Sequence, residues 1–483
     1  MKEQDNIVSD KLEVFQAIFY PKSVAVVGVS KDGNKSGTGY VRSLLASKFP
    51  GKIYPVGRSE DPILGVKSYT SVSSIPEPVD LVLVSVPAKN VPAVFDDCAN
   101  KVKAIHVFSA GFRETQRAEG IELERQLVEK TKKGGFRVIG PNCIGIYSPA
   151  GRLNLGPKPI APIGEPGNIS VVCQSGGFAR KLFELGIARR IRYSKLVSFG
   201  NAADLKAEDF LEYFAVDPAT EIVGAYVEGV SDGKRFLEVV REVAARKPFV
   251  LWKGGRTETG SRTAVSHTGA VASADFVWDA ALKQAGVVRV ESVEELSDTL
   301  LAFQMMPSLA GNNACFLCGL ADGGGGDSVY SSDLFSTLGL NLPHFSPDVA
   351  SELDEYRSGG SSIVLNPLDI NLAEGEPELL RRALSLALSD PKIDFLIAAE
   401  HIGGVLAYRD DDSAREMNDA FIEMKSKQSK PMVVVLTPGI REDLRAEFVS
   451  KFTEAGIAVF PSISRAAKAI SNILQYYRRN KTR

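Results

Sequence analysis

The stretch VAVVGVSKDGNKSGTGYVRSLL (24–45) decides the fold of the first part of this chain. Its apolar run has the length of a buried strand, and it is followed by a turn rich in glycine and serine and then by a helical pattern. Small residues in such a turn let backbone amides approach a phosphate, and the start of the helix adds a partial positive charge. The stretch therefore predicts a nucleotide-type Rossmann unit, although its glycine spacing is not G-x-G-x-x-G.

The next strand, KIYPV (52–56), indicates which nucleotides fit this unit. It runs into Gly57 and Arg58, whereas NAD usually needs an acidic residue at this point for the ribose. Arg58 and Lys31 instead suit a ligand with additional phosphates. Coenzyme A, with its pyrophosphate and 3′-phosphate, and NADP are both compatible with this pattern.

Strand-like runs alternate with helical patterns along the rest of the chain, which predicts an α/β fold built from parallel sheets. We expect a Rossmann-like domain over 1–150, followed by two flavodoxin-like, doubly wound domains over 151–307 and 308–483. The last two domains open alike, with VVCQSGGFARKLFE (171–184) and CFLCGLADGGGGDSVYSSDLF (315–335), which indicates a weak internal duplication. The predicted strands are 23–30, 52–56, 79–87, 104–109, 136–140, 168–174, 195–200, 221–229, 248–255, 286–290, 314–320, 368–372, 395–401, 431–438 and 456–460.

Composition excludes several classes of protein. Hydrophobic residues make up 44% of the 483 residues and charged residues 24%, as in ordinary globular chains. The net charge of −2 gives no overall field that would attract nucleic acid or an anionic membrane. No apolar run approaches the ~20 residues of a membrane span. The N-terminal MKEQDNIVSDKLEVF alternates acidic and basic residues, so we expect no signal peptide.

The five cysteines are too few, and odd in number, for a disulfide framework, so we expect a cytoplasmic protein with reduced thiols. Cys315 and Cys318 form a C-x-x-C inside an apolar run, without a second pair of metal ligands. This context predicts buried thiols on a strand and no metal site.

Two further features of the sequence indicate a reactive site: a second turn between a strand and a helix, and one histidine. Ser175, Gly176 and Gly177 precede a helix and could hold a phosphoryl group or a carboxylate, although small residues at such corners are often only structural. His267 lies in GGRTETGSRTAVSHTGAVASAD (254–275), which has little periodicity and reads as an irregular loop. His267 is therefore either a turn residue or a group free to swing and carry a phosphoryl group. The strand context of His106 predicts a core role, and His401 ends a predicted strand where α/β sheets bind ligands.

These segments carry a resemblance to a known family. Ser266-His267-Thr268-Gly269-Ala270 resembles the phosphohistidine segment of NDP-forming acyl-CoA synthetases, which include ADP-forming acetate–CoA ligase and, more distantly, succinyl-CoA synthetase. Other family segments follow in order over most of the chain: SVAVVGVS, VDLVLVSVPAKNVP, FSAGFRE, GPNCIGI, VVCQSGGFA, VSFGNAADL and AYVEGVSDG.

The resemblance implies a role for each matching residue. His267 would accept the phosphoryl group, and Glu228 would bind and orient its ring. Phosphate and acyl group would lie at Ser175, Gly176, Gly177, Ser266, Thr268 and Gly269. Coenzyme A would contact Gly28, Ser30, Lys31, Arg58, Val86, Pro87, Ser109, Ala110 and Gly111.

The resemblance also implies a partner. None of the three predicted domains reads as an ATP-grasp module, so we expect an α-type subunit whose ATP-grasp β subunit holds Mg-ATP or ADP, in a hetero-oligomer. The 254–275 loop should swing between the two sites. The substrates would be a small carboxylic acid or its acyl-CoA, and phosphate. The alternatives are an NADP-dependent oxidoreductase and a non-catalytic regulator that binds CoA or acyl-CoA.

Three departures from the family pattern leave open which carboxylic acid is the substrate. The usual Asn-Pro after IYPV is Gly57-Arg58, the segment 399–403 reads AEHIG where a Thr-Pro segment is common, and the turn GGGGD (323–327) is unusually rich in glycine. The sequence assigns no role to His401 or to this turn, and it leaves open the choice between ATP and GTP.

Overall fold

The computed structural model describes residues 12–31, 33–268, 275–307, 309–319, 325–355, 363–369, 377–408 and 410–481. For residues 265–268, 363–364, 408 and 480–481 it describes the backbone alone. The chain forms two compact units, Met1–Leu296 and Ser297–Arg483. Two sheets lie in the first unit and one in the second.

The first sheet has five parallel strands in the order β2-β1-β3-β4-β5. Its central strands are buried on both faces, which is why they read as continuous apolar runs in the sequence. The strands are β1 Ser23–Val27, β2 Lys52–Val56, β3 Val79–Val84, β4 Val102–Val107 and β5 Arg137–Ile139. The helices around it are α1 (12–19), α2 Ser36–Ala46, α3 Val91–Cys98 and α4 Ala118–Gly134, with 3₁₀ turns at Ala88–Asn90 and Arg113–Thr115.

The second sheet has six strands in the order β11-β10-β9-β7-β8-β6, and β6 is antiparallel to β8. Its strands are β6 Ile146–Tyr147, β7 Ile169–Cys173, β8 Tyr193–Ser198, β9 Ile222–Val227, β10 Phe249–Lys253 and β11 Val288–Val290. Its helices are α5 Gly176–Ala188, α6 Ala207–Val216, α7 Gly233–Arg246, α8 Glu258–Thr268 and α9 Asp275–Ala285. Helix α10 Val293–Met305 follows, and its residues from Ser297 onward belong to the second unit.

The third sheet has six strands in the order β13-β14-β12-β15-β16-β17, and β13 is antiparallel to β14. Its strands are β12 Ala314–Cys318, β13 Ile363–Val364, β14 Leu368–Asp369, β15 Phe395–Glu400, β16 Met432–Leu436 and β17 Ala458–Phe460. Its helices are α11 Gly325–Thr337, α12 Pro347–Asp354, α13 Pro377–Ser389, α14 Ile402–Tyr408, α15 Asp411–Lys427, α16 Glu442–Glu454 and α17 Ile463–Lys481.

The second and third sheets share one layout. In each, the first parallel strand (β7 or β12) lies in the middle, three strands follow on one side, and an antiparallel strand closes the opposite edge. The strand order reverses between β7 and β9 and between β12 and β15, the point at which open α/β sheets bind ligands. This layout matches the duplication predicted from the two similar segments.

The predicted α/β fold is confirmed, and a strand forms in every range where one was predicted. Two short edge strands, β6 and β13, were not predicted. Because β6 pairs with β8, residues 146–147 of the predicted first domain belong to the second sheet. The predicted domain boundaries at 150 and 307 stay predictions.

All five cysteines are free and buried, and burial raises the pKa of each thiol. Cys315 and Cys318 lie on β12, so the prediction of buried thiols on a strand is confirmed. His106 is a core residue, as predicted: its Nε2 lies 3.1 Å from the carbonyl oxygen of Cys143, and burial lowers its pKa to about 4. Among the described helices, none has the length and apolar character needed to cross a bilayer.

Candidate active site

The first cleft, of about 1060 Å³, opens where β1 and β3 end and the strand order of the first sheet reverses. Gly28, Ser30, Lys31 and Arg58 line it. Gly28 has φ +102°, and a Cβ placed there would lie 2.3 Å from the carbonyl oxygen of Ser85. Only glycine fits at this position, and its small size keeps the backbone open toward the cleft.

The cations of the first cleft are accessible. Lys31 forms an ion pair with Asp61 at 2.9 Å, and both side chains are mostly exposed. The hydrogen bond from Lys31 lowers the pKa of Asp61. An exposed pair of this kind contributes little stability, so Lys31 can be redirected to a phosphate at small cost.

The second cleft, of about 600 Å³, shares Ser85, Val86 and Pro87 with the first. Ser109 and Ala110 line it beyond β4. Gly111 is not among the described residues that line either cleft, and its N–H donates to Oε1 of Glu114 at 2.6 Å. The structure therefore brings the predicted CoA residues to two connected clefts, with Gly111 just outside them.

The N-terminus of α5 forms part of the wall of the second cleft. Ser175 is the N-cap residue, and its Oγ accepts a hydrogen bond from the N–H of Phe178 at 3.4 Å. Gly176 and Gly177 form the first turn and line the cleft. The helix has 13 residues, so the positive end of its dipole and its unpaired amides suit an anion here. The predicted phosphate-binding turn Ser175–Gly177 thus lies beside the residues predicted to contact CoA.

Glu228 lies directly after β9, next to the end of β7. It is 9% exposed, and the hydroxyl of Tyr226 donates to its Oε1 at 3.1 Å. The Oε1 of Gln174 accepts hydrogen bonds from the N–H groups of Glu228 at 2.7 Å and Gly229 at 3.3 Å. Since Gln174 also lines the second cleft, Glu228 is tied by backbone bonds to the wall that carries the α5 N-terminus.

Helix α8 corrects the expected loop. Residues 258–268 are helical, and the helix lies against the 3₁₀ turn Arg113–Thr115. His267 is the penultimate residue of α8. The side chains of Ser266, His267 and Thr268, and all of Gly269, lie outside the described residues. Glycine, serine and threonine weaken the helical periodicity of this segment, which is why the sequence read as irregular.

Sequence reasoning missed three amide side chains at the second cleft: Gln174, Asn142 and Asn201. The Nδ2 of Asn201 donates to Oε2 of Glu114 at 2.6 Å and to Oε2 of Glu124 at 2.8 Å. Their positions after strands, in the segments GPNC, VVCQSGG and GNAAD, were the available signal.

Comparison with known proteins identifies the family. The α subunit of ADP-forming acetate–CoA ligase I from Pyrococcus furiosus is 36% identical over 472 residues, covering 95% of this chain and 97% of that subunit. The chain belongs to the ADP-forming acyl-CoA synthetase family. It therefore belongs to a family of ligases, and within that family it corresponds in length to an α subunit.

Structural comparison agrees with this family. The dinucleotide-forming acetyl-coenzyme A synthetase 1 of Candidatus Korarchaeum cryptofilum, solved with phosphate and ADP, matches with a TM-score of 0.83 at 32% identity, over 97% of both chains. A 4-hydroxybutyrate–CoA ligase of Nitrosopumilus maritimus is 31% identical over 87% of this chain and 58% of that enzyme.

Two family models match separate parts of this acyl-CoA synthetase chain. A CoA binding domain matches residues 22–149, and a succinyl-CoA ligase like flavodoxin domain matches residues 166–303. The first range contains the first sheet and the first cleft, which agrees with coenzyme A as the nucleotide. The comparisons support the ligase, and they support neither the NADP-dependent oxidoreductase nor the non-catalytic regulator.

Proposed function

We propose that this chain is the α subunit of an enzyme that catalyses acid + CoA + ATP ⇌ acyl-CoA + ADP + phosphate. The observation that supports this most strongly is the shared wall of Ser85, Val86 and Pro87. It joins the first cleft, with its accessible cations, to the second cleft, where the N-terminus of α5 is ready to hold an anion. A long ligand with phosphates at one end and a reactive group at the other fits this arrangement.

Coenzyme A would follow this path. We place its phosphates at Gly28, Ser30, Lys31 and Arg58, in the first cleft. The adenosine and pantetheine parts would run along the strand ends and bring the thiol to the α5 N-terminus. The strand-end residues proposed for this are Val86, Pro87, Ser109, Ala110 and Gly111.

His267 would carry the phosphoryl group. In the ligase direction its ring nitrogen forms a P–N bond to the γ-phosphoryl group of ATP, ADP leaves and the ring proton is released. An oxygen of the acid then attacks phosphorus, which breaks the P–N bond and gives an acyl phosphate. The CoA thiol loses its proton and attacks the acyl carbon, and phosphate leaves.

The surrounding groups would position and stabilise this transfer. Glu228 would hold one ring N–H of His267, which leaves the other ring nitrogen as the nucleophile. Ser175, Gly176 and Gly177 would hold the phosphoryl and carboxylate oxygens at the positive end of α5, with Ser266, Thr268 and Gly269 beside His267. The segment 254–275, which includes α8, would move as His267 passes between the two sites.

The nucleotide would bind to a separate ATP-grasp β subunit, in a hetero-oligomer. The sheets described here are parallel, apart from two short antiparallel edge strands, and the described residues supply no mixed α+β region of the size that an ATP-grasp module needs. We place Mg-ATP or ADP on that partner. Five free, buried cysteines suit a reducing compartment, so we propose a cytoplasmic location.

The test uses the purified full chain without ATP. Mixed with acetyl-CoA and radiolabelled phosphate, the chain should run the last two steps in reverse and become labelled on His267, with release of CoA and acetate. The His267→Ala chain should take up no label. His344→Ala is the matched control, because His344 is exposed in a loop, and this variant should be labelled like the wild type. Equal labelling of the His267→Ala chain would overturn the assignment.

A further inference from the structure

Tyr226 is a buried residue of β9 that the chemistry described above does not use. It lies two residues before Glu228 and is 5% exposed. Residues two apart on a strand point to the same face of the sheet, and the hydroxyl of Tyr226 donates to Oε1 of Glu228 at 3.1 Å. Tyr226 itself lines neither the first cleft nor the second. Any effect of Tyr226 on the reaction must therefore pass through its neighbours.

Two aromatic side chains hold the ring of Tyr226 in place. The ring centroid of Phe178, in the first turn of α5, lies 4.8 Å from that of Tyr226, and the centroid of Trp252 on β10 lies 4.4 Å from it. The N–H of Phe178 donates to Oγ of Ser175, at the turn proposed to bind phosphate. Close packing on these sides fixes the direction of the hydroxyl and ties it to the position of the α5 turn.

The hydroxyl of Tyr226 also lies close to the beginning of the segment 254–275. Gly254 is the first residue after β10, and a Cβ placed there would lie 2.6 Å from the hydroxyl oxygen. A larger residue at this position would push the hydroxyl away from Glu228, so glycine permits the close approach. One side chain thus adjoins the α5 turn, the acid Glu228 and the start of the segment that carries the histidine.

The hydroxyl of Tyr226 is a donor to the carboxyl group of Glu228. Burial, together with the neighbouring Glu228, raises the pKa of Tyr226, so the hydroxyl keeps its proton. A hydrogen bond donated to a carboxylate favours the charged form of that group and restricts its orientation. Both effects suit a carboxylate that has to bind one N–H of an imidazole ring in a fixed direction.

Two other titratable side chains in the described part of the chain interact with Glu228: Cys173 at the end of β7 and Lys253 at the end of β10. Burial raises the pKa of the Cys173 thiol, so the thiol stays neutral. Burial lowers the pKa of Lys253, and its Nζ donates to the carbonyl oxygen of Gly254. Both side chains remain when the hydroxyl of Tyr226 is removed, so a change in pH dependence on its removal reports on the hydroxyl.

We propose that Tyr226 is a positioning residue for the phosphoryl transfer, and that its hydroxyl holds the Glu228 carboxylate in the orientation that binds the ring N–H of His267. This inference rests on the proposed function and adds a residue to it. The O–H bond of Tyr226 stays intact throughout, since the hydroxyl acts on Glu228 and Glu228 acts on the ring. Tyr226 therefore influences the rate of transfer without contacting the substrate.

The test compares Tyr226→Phe with the wild type in the labelling of the full chain by acetyl-CoA and radiolabelled phosphate. The variant lacks only the hydroxyl, so the maximal rate constant of labelling should fall by about tenfold, the effect of one hydrogen bond to a charged group. The half-saturating concentration of acetyl-CoA should not change, because Tyr226 lines neither cleft. The acid limb of the pH profile should move to higher pH by about one unit, because the carboxylate loses a donor that favours its charged form.

Tyr193→Phe is the matched control. Tyr193 lies on β8 of the same sheet, is 2% exposed, and donates its hydroxyl to the carbonyl oxygen of Leu182 at 3.0 Å. This variant also loses one buried tyrosine hydroxyl and its hydrogen bond, but at a place without an acid partner. Its labelling rate and its pH profile should equal those of the wild type.

A double variant shows whether Tyr226 acts through Glu228. In a chain that already carries Glu228→Ala, the hydroxyl has no carboxylate to hold, so adding Tyr226→Phe should change the labelling rate by less than about twofold. A further tenfold loss in that background would mean that Tyr226 only supports the packing of the sheet, and the inference would be wrong.

The remaining outcomes separate this inference from the proposed function. If the wild type is labelled on His267 and Tyr226→Phe matches it in rate, or loses rate with an unmoved acid limb, the hydroxyl does not hold the carboxylate and the inference fails while the proposed function stands. If the wild type takes up no label, the proposed function itself fails. Thermal unfolding by circular dichroism checks that each variant is folded.

Discussion

The second and third sheets place an acidic residue at the same point of the same layout, yet the two residues have different surroundings. Glu228 follows β9, and its backbone N–H donates to Gln174, which lines the second cleft beside the N-terminus of α5. Glu400 ends β15, is 2% exposed and faces Asn418, whose Nδ2 donates to its Oε1 at 3.3 Å. The shared layout therefore places a carboxyl group at the end of the same strand in both sheets. Whether that group can take part in a reaction depends on the cleft and the hydrogen-bond donors near it.

The surroundings of Glu400 point to a neutral acid. Among the described residues, its Oε2 and the Oδ1 of Asn418 have no hydrogen-bond partner. Burial raises the pKa of Glu400 to about 8. A proton on Glu400 supplies the donor that this pair lacks. The third sheet thus keeps an uncharged carboxyl group in its core.

The largest expected effect is a loss of stability when a buried ion pair of the second sheet is broken. Lys195 on β8 is fully buried and forms an ion pair with Asp217 at 2.6 Å. Asp217→Ala leaves the ammonium group without its anion and should lower the free energy of unfolding by about 3–5 kcal/mol. Urea unfolding followed by tryptophan fluorescence measures this, since Trp252 and Trp278 both lie in the first unit. A loss below about 1 kcal/mol would mean that Lys195 finds another partner.

The second prediction compares the loss of labelling activity when Glu228 or Glu400 is replaced by glutamine. Glu228→Gln removes the negative charge that should orient His267, and we expect acyl-CoA-dependent labelling to fall on the order of 100-fold. Glu400→Gln is the matched change in the third sheet, and it should leave the labelling rate unaltered. Similar losses in both variants would show that the comparison does not separate a functional acid from a structural one.

The smallest effect is a pH dependence of the second unit. The pKa of Glu400 is higher in the folded chain than in the unfolded one, so folding binds a proton and stability falls as pH rises toward about 8. Between about pH 7 and pH 8 the loss should be about 1 kcal/mol. Glu400→Gln mimics the neutral acid, and it should remove this decline.

Thermal unfolding by circular dichroism at several pH values measures this decline, because the second unit contains no tryptophan. Glu416→Gln is the control, since Glu416 is exposed on the same helix as Asn418, and it should keep the wild-type slope. If the wild type and Glu400→Gln decline alike, Glu400 is ionised in the folded chain.

Most of the fold could be predicted because parallel strands buried on both faces leave long apolar runs in the sequence. The strands β6 and β13 escaped prediction, since two residues at a sheet edge leave no such run. Helix α8 was predicted as a loop because its serine, threonine and glycine residues obscure the helical period. It lies against the turn Arg113–Thr115, a contact between distant segments that sequence cannot show.

Residues of the candidate site could be predicted where a recognisable motif directly follows a strand, and the other residues of the site were harder to predict. Ser175–Gly177 and the wall containing Val86 and Pro87 followed from local pattern and resemblance. Gln174 and Asn201 were missed because their roles depend on hydrogen bonds to Glu228 and Glu124, which are distant in sequence.

The burial of all five native thiols has a practical consequence. A maleimide dye reacts with exposed thiolate, so the native chain should take it up slowly, and a single cysteine introduced by Arg262→Cys on the exposed face of α8 would become the main point of attachment. A dye at that point would let fluorescence follow α8 during turnover without first removing any native cysteine.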